Sequence, residues 1–544
     1  MIKIFIFSLI TNLTFYSYGH LIKSCKVSDK FEKYCNKSIL GFILISFIAL
    51  TLNFFFPLNG LINTIILVTG IFILFIIKKV QFEKGEIIFI VISAIITSGL
   101  ILYSTVNRPD AGLYHLPFTS MLNEHRIVFG SANIHFRFGH ISIIQYVSAA
   151  NKNYLFDSFG ILIPLASIIS FFVIFFFNKI FFIFKSSKEI DLSNIFSIFI
   201  VIFISYKINR YSAFGNDAVA HVSFFYLITR LLSKNKIDLY IISLISVFIF
   251  LNKSTMMLSL AIPFVLFFKY FDYKNLKIFY SLPSFFLLFW LAKNVIISGC
   301  LVYPVEKTCF TKLNWTDINE VKLESIQAEA WSKGFPDRKD LTITVENFKE
   351  NFVWFDSWFF GHGIKILKIL IPYFLISIII FFFLGGNKNP ILISKDKFII
   401  KILLLLTFLG SILFFLKFPL FRYGYSYIIT FFILIILYFK NKYSLIRLKK
   451  ISKLIFIICF CIFSSKQLIR YFKNENIYNY WPEIQLLKNQ NKIYLEKIKS
   501  YEDLNIYFSN SLCMYSKSIC TNYELKNIKI TKKYGYYFIN LNKT

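Results

Sequence analysis

The chain alternates between long apolar blocks and short polar breaks, and most of the blocks are apolar on every side. SILGFILISFIALTLNFFF (38–56) and IPYFLISIIIFFFLG (371–385) are examples. A helix apolar all round is buried in protein or in lipid. Blocks near 20 residues also match the hydrocarbon core of a bilayer, where each segment must satisfy its own backbone hydrogen bonds. Fourteen spans are expected, at 3–19, 38–55, 60–77, 86–103, 158–178, 192–206, 214–230, 237–251, 255–270, 278–297, 365–385, 398–416, 424–439 and 451–469. Only Asn252 and Lys253 divide 237–251 from 255–270, so a broken or re-entrant helix there changes the count. Residues 3–19 occupy the place of a signal peptide, but they show no clear cleavage motif and more spans follow at once. They are read as the first span. The fold class is an all-α polytopic membrane protein.

Between the blocks lie two polar segments large enough to fold. Residues 104–157 include NIHFRFGHISIIQYVSAA (133–150), whose mixed pattern predicts one or two helices at the membrane interface with Phe, Ile and Tyr toward lipid. Residues 298–364 contain a predicted helix around 317–333 and the aromatic run WFDSWFFGH, in which Trp354 and Trp358 are expected to anchor at the interface. The polar tail 471–544 alternates in LNIYFS and YGYYFIN and predicts a small external α/β or β-rich domain beside the 1–470 bundle.

Composition sharpens this picture. Of 544 residues, 56% are hydrophobic and 69 are Phe, and the mean hydropathy is +0.62. Sixty basic residues against 29 acidic ones give a net charge of +31. In a soluble chain that excess would point to nucleic acid. Here the lysines crowd into short loops such as KSCKVSDKFEKYCNK (23–37) and FKNKYSLIRLKK, the pattern of cytoplasmic anchors, so no nucleic-acid partner is expected. This charge bias places the 104–157 and 298–364 loops, the tail and both termini on the outer side of a bacterial cytoplasmic (inner) membrane, facing the periplasm. Cys300 with Cys309 and Cys513 with Cys520 then fall where disulfides persist. A zinc site built from the same four is the alternative. Cys25 and Cys35 fall in a reducing loop and are expected to be free.

The chemistry concentrates in NRPDAGLYHLP (107–117), just past the fourth block. Asp110 is either a helix N-cap paired with Arg108 or a general base or metal ligand, with Tyr114 and His115 one turn beyond it. Asp217 lies one turn before His221, at the mouth of a span. It either pairs with Arg210 or shares catalytic duties with Asp110. Lys253, Lys293, Arg422 and Tyr423 are candidates to hold a phosphate. Divalent metal is possible but no ligand set is named, and no cofactor is expected with certainty. His125, His135 and His140 match no metal spacing and are read as interface histidines.

RPDAGLYHLP, followed by NIHFRFGHIS, resembles the first outer loop of polytopic GT-C-type glycosyltransferases, which use polyprenyl-phosphate sugars. KNVIISGCLVYPVEKTCF, WFDSWFFGH and FRYGYSYI resemble an uncharacterised family of bacterial membrane proteins named for a Leptospira member. The first resemblance implies a GT-C-like helix bundle in which Asp110 acts as base or metal ligand, with Asp217 as the second outer carboxylate. The chain departs from the usual GT-C pattern in having more than one span before the loop and a lone Asp in it. The implied function is transfer of a sugar from a polyprenyl-phosphate donor to an extracytoplasmic glycan or glycolipid acceptor. The alternatives are a polysaccharide polymerase or ligase centred on the 298–364 loop around His362, and a transporter or flippase of lipid-linked glycans.

Overall fold

The structure is a computed structural model. It describes residues 2–23, 29–78, 82–102, 110–185, 190–207, 215, 217–234, 237–270, 281–350, 352–385, 390–392, 396–440, 442–473 and 495–542. Each of the fourteen apolar blocks is helical. Seven helices are long and apolar enough to cross a membrane: Lys30–Phe55, Gly60–Ile77, Lys84–Ile101, Asp157–Lys185, Phe355–Phe383, Lys397–Lys417 and Phe421–Phe439. The chain is a multipass membrane-helix bundle with a small strand-containing segment at its C-terminal end.

The bundle is layered. Ile163–Lys185 is its central helix, buried along most of its length. Gly60–Lys78 and Ile364–Phe383 lie outside, with Phe72, Phe75, Phe382 and Phe383 exposed as lipid-facing residues are. Inside, small polar side chains bond across helices. Asn12 donates to Ser93 at 3.1 Å, and the Thr97 hydroxyl donates to Ser170 at 3.1 Å. In lipid such bonds contribute roughly 0.6 kcal/mol each, and they fix which faces meet.

Several helices in the middle of the bundle are short. Leu192–Lys207 and Asp217–Leu232 have 16 residues, Leu239–Asn252 has 14 and Leu282–Ser298 has 17. At 1.5 Å per residue these reach only about 21–26 Å, less than the roughly 30 Å of a hydrocarbon core. A chamber opens among these helices and the polar segments. The break at Asn252 and Lys253 is real: Lys253 adopts an extended backbone (φ −154°, ψ 114°), and the chain turns back as the 3₁₀ helix Ser254–Leu260 and the α-helix Ala261–Lys269. Ser259 donates to the Ser246 carbonyl at 3.1 Å and closes the hairpin.

Three polar segments gather over the chamber: 110–162, 299–363 and the C-terminal strands. The strands form Glu496–Tyr501 antiparallel to Leu504–Phe508, which pairs in parallel with Cys520–Thr521, and a separate hairpin of Ile528–Lys533 with Tyr536–Leu541. The last strand also clasps the first loop. Phe129 N–H donates to Tyr537 O at 2.9 Å, and Ile539 N–H donates to Phe129 O at 2.8 Å. Gly130 makes this approach possible: at φ +69° a Cβ there would lie 2.4 Å from the Ile539 carbonyl oxygen. The predicted helix around 317–333 is Ile318–Ser332. Disulfides join Cys300 to Cys309 and Cys513 to Cys520.

Three expectations are corrected. The 133–150 stretch does not lie along lipid: its helix Ile143–Ala150 is buried in protein, because the strand segment and the bundle enclose it. Trp354 and Trp358 are packed inside: Trp358 Nε1 donates to Pro419 O at 2.7 Å, and Lys333 lies over the Trp354 ring. Cys35 is a free thiol as expected, but it is buried in the helix Lys30–Phe55, whereas Cys25 lies outside the described residues.

Candidate functional site

Asp110 stands at the head of a π-helical turn, Ala111–His115, that leads into Leu116–Glu124. Its side chain caps no helix. One carboxylate oxygen instead meets Arg137 Nη1 at 3.3 Å and the other meets Arg422 Nη1 at 3.1 Å. The pairing joins the first loop to the first turn of the helix Phe421–Phe439, across 312 residues. Arg108, the partner expected from sequence, lies outside the described residues.

A second ion pair lies beside the first. Lys253, projecting from the hairpin break, contacts Asp217 at the start of its helix and also donates to the Arg422 carbonyl at 2.8 Å. The Lys253 ammonium sits 4.2 Å from the centre of the Tyr423 ring, and Arg422 Nη2 donates to the Tyr423 hydroxyl at 3.3 Å. His221 holds the same backbone from behind, with Nε2 2.9 Å from Arg422 O and Nδ1 2.7 Å from Ser426 Oγ. Asp217 therefore pairs with Lys253; Arg210 lies outside the described residues.

Both ion pairs open into a cavity of about 1770 Å³, well above the size of most small-molecule pockets. Asp110, Tyr114, His115, Arg137, Asp217, Lys253, Arg422 and Tyr423 all line it. Part of its wall is apolar, with Leu413, Phe414, Phe250 and Leu258, and its rim is polar, with Glu320, Glu324, Tyr523 and Lys526. Lys293 is the exception among the predicted phosphate ligands. It is fully buried, 3.6 Å from the centre of the Trp290 ring, and does not line the cavity. Its side chain leaves Leu282–Ser298 on a face turned away from the cavity. His362, in the turn Phe359–Gly363, is also absent from the lining.

One lining group, Arg137, escaped sequence reading, and another, His140, is a cavity residue where an interface histidine is expected. Arg137 sits in the 3₁₀ helix Phe136–His140, and so does His140, whose Nε2 lies 3.0 Å from Glu324 Oε1. In a 3₁₀ helix residues three apart eclipse one another, so Arg137 and His140 project to the same side. The RFGH spacing carried that signal, but only once the helix type was known. Among the described residues no three of His, Cys, Asp and Glu gather in a way that would hold a metal ion.

Two histidines flanking the site are held neutral by burial. His115, whose Nδ1 lies 3.0 Å from Gln145 Nε2, is pushed down to about 4. His135, whose Nδ1 accepts the Arg137 N–H at 3.2 Å, is pushed down to about 3 by burial and then by the Arg137 charge. The unfolded chain binds protons at these imidazoles below pH ~6.5, where the folded one still refuses them. Stability is thus full above that pH and falls toward pH 4, by about 1.4 kcal/mol per pH unit for each histidine. Melting of the detergent-solubilised protein between pH 7 and 4.5 should show this decline. A His115→Gln/His135→Gln variant should show a shallower one.

A family model described as Domain of unknown function (DUF8201) matches residues 1–429. The chain belongs to the DUF8201 family. The match includes every member of the two ion pairs, Asp110, Arg137, Asp217, Lys253 and Arg422, whereas the C-terminal strands lie beyond it. No curated protein and no solved structure is significantly similar to this DUF8201 chain.

Proposed function

We propose that this DUF8201 protein is a membrane glycosyltransferase of GT-C type, taking a sugar from a polyprenyl-phosphate donor to a glycan or lipid acceptor on the non-cytoplasmic side. The observation that carries this reading is the meeting of Asp110, Arg137 and Arg422 with the Asp217–Lys253 pair in one large cavity. A lipid-linked sugar phosphate needs an apolar wall for its chain, fixed cations for its phosphate and a carboxylate for the acceptor proton. All three occur together here. Guanidinium groups suit phosphate oxygens because their planar donors match that geometry, and preset cations stabilise the charge that develops on the leaving phosphate.

Two further observations favour the non-cytoplasmic side. Both disulfides belong to the segments over the chamber, and lysine-rich loops mark the opposite end of the helices. For a bacterial chain this is the periplasmic face of the inner membrane.

The test is release of polyprenyl phosphate from a panel of polyprenyl-phosphate hexoses and pentoses by protein reconstituted in bilayers. Asp110→Asn should lower turnover by about 10²–10⁴-fold, the usual contribution of a positioned base, without loss of folded protein. Near-wild-type turnover in that variant removes the assignment.

A further inference from the structure

In the donor-free protein the carboxylate assigned as base is already occupied. Each Asp110 oxygen is engaged by a different guanidinium. The two arginines are not saturated by it, however: each meets the carboxylate through Nη1 alone, and Arg137 Nε is buried with no hydrogen-bond partner. Tyr114 lies beside Arg137 and Tyr423 beside Arg422, so both guanidinium groups are held in place whether or not the carboxylate is there. The local charge also asks for an anion. Seven Lys and Arg side chains line the chamber against five Asp and Glu, so its lining carries a net positive charge.

We propose that Arg137 and Arg422 form a phosphate clamp for which Asp110 is the resident stand-in, and that the phosphate of an isoprenyl carrier takes its place and thereby frees the base. The proposal rests on the carrier reading above and adds to it Arg137, the exchange and a binding order. A sugar phosphodiester brings one negative charge to this net positive lining. The released Asp110 carboxylate then takes the proton of the acceptor hydroxyl. The acceptor oxygen forms its bond to the anomeric carbon, and the bond from that carbon to the phosphate oxygen breaks with its electron pair leaving on the phosphate. The product monoester carries up to two negative charges. Asp110, now protonated, carries none, so the clamp stays balanced. Donor must bind before acceptor, because until then no base is available.

The exchange is tested without knowing the sugar or the acceptor, by calorimetric titration of farnesyl phosphate into the full-length protein in detergent. Farnesol and inorganic phosphate serve as controls. Wild type should bind farnesyl phosphate, should bind inorganic phosphate far more weakly, and should ignore farnesol. Arg137→Ala and Arg422→Ala should each weaken binding tenfold or more. Asp110→Asn should tighten it about tenfold, because the competing carboxylate charge is gone; Asp110→Ala is the second variant should Asn refold the loop. Weaker or unchanged binding in folded Asp110 variants, with both arginine variants impaired, overturns the exchange and leaves the carrier reading standing. An Arg137→Ala protein that binds as wild type removes Arg137 from the clamp. Failure of wild type to bind farnesyl phosphate at millimolar concentration removes the carrier reading itself. Inorganic phosphate binding as tightly as the lipid assigns the clamp to free phosphate instead.

Discussion

Arg422→Ala is expected to lower the proposed glycosyl transfer by about 10³-fold while the protein still folds. The loss is large because the guanidinium is fixed before substrate arrives, with Asp110 at 3.1 Å and the Tyr423 hydroxyl at 3.3 Å. A preset cation costs no reorganisation when charge appears on the leaving phosphate. Folding should survive because the backbone at residue 422 is held independently: its carbonyl receives Lys253 and His221, and neither bond needs the Arg422 side chain. Arg422→Lys keeps the charge but loses the planar fork, so it should recover only part of the rate. Steady-state release of polyprenyl phosphate, set against the melting temperature of each variant, separates the two effects. An Arg422→Ala enzyme within threefold of wild type would place the leaving group elsewhere.

The second large effect concerns stability. Asp217→Ala should destabilise the protein by about 3–5 kcal/mol, because it leaves the Lys253 ammonium buried with its counter-ion gone. The Arg422 carbonyl and the Tyr423 ring remain beside it, but neither carries a full negative charge. Replacing both partners, as Asp217→Ala/Lys253→Met, should restore most of the stability, since a buried pair can often be exchanged for apolar side chains at little cost. Transfer activity should not return with it. Unfolding in mixed detergent micelles measures all three proteins. A single Asp217→Ala variant within about 1 kcal/mol of wild type would show that the pair is not the anchor of this end of the bundle.

The helices were legible because blocks of Ile, Leu and Phe leave the backbone no alternative in lipid, and each block is a helix. The hairpin break was legible too, since Asn252 and Lys253 interrupt an otherwise continuous apolar run. Asp110, Asp217, Lys253 and Arg422 stood out as charged residues at the ends of such runs, and they converge. What sequence could not supply was direction and partner. Lys293 has the same chemistry as Lys253, yet it lies against Trp290, because the facing of a helix depends on what covers it. The pairing of Asp110 with Arg137 and Arg422 joins three separate segments, and no local spacing encodes it. Trp354 and Trp358 look like interface anchors by composition. They are enclosed because the 298–364 loop folds back over Phe415.

The clasp between Phe129 and the strand Tyr536–Leu541 ties the roof of the chamber to a part of the chain beyond the family match. The charged floor is contained in residues 1–429, whereas Tyr523, Glu524 and Lys526 on the rim come from outside them. The C-terminal strands thus complete a chamber wall to which Glu320 and Glu324 of the matched region also contribute. A change confined to the 504–541 segment therefore reshapes part of the chamber wall while leaving the Asp110, Arg137, Asp217, Lys253 and Arg422 cluster as it is.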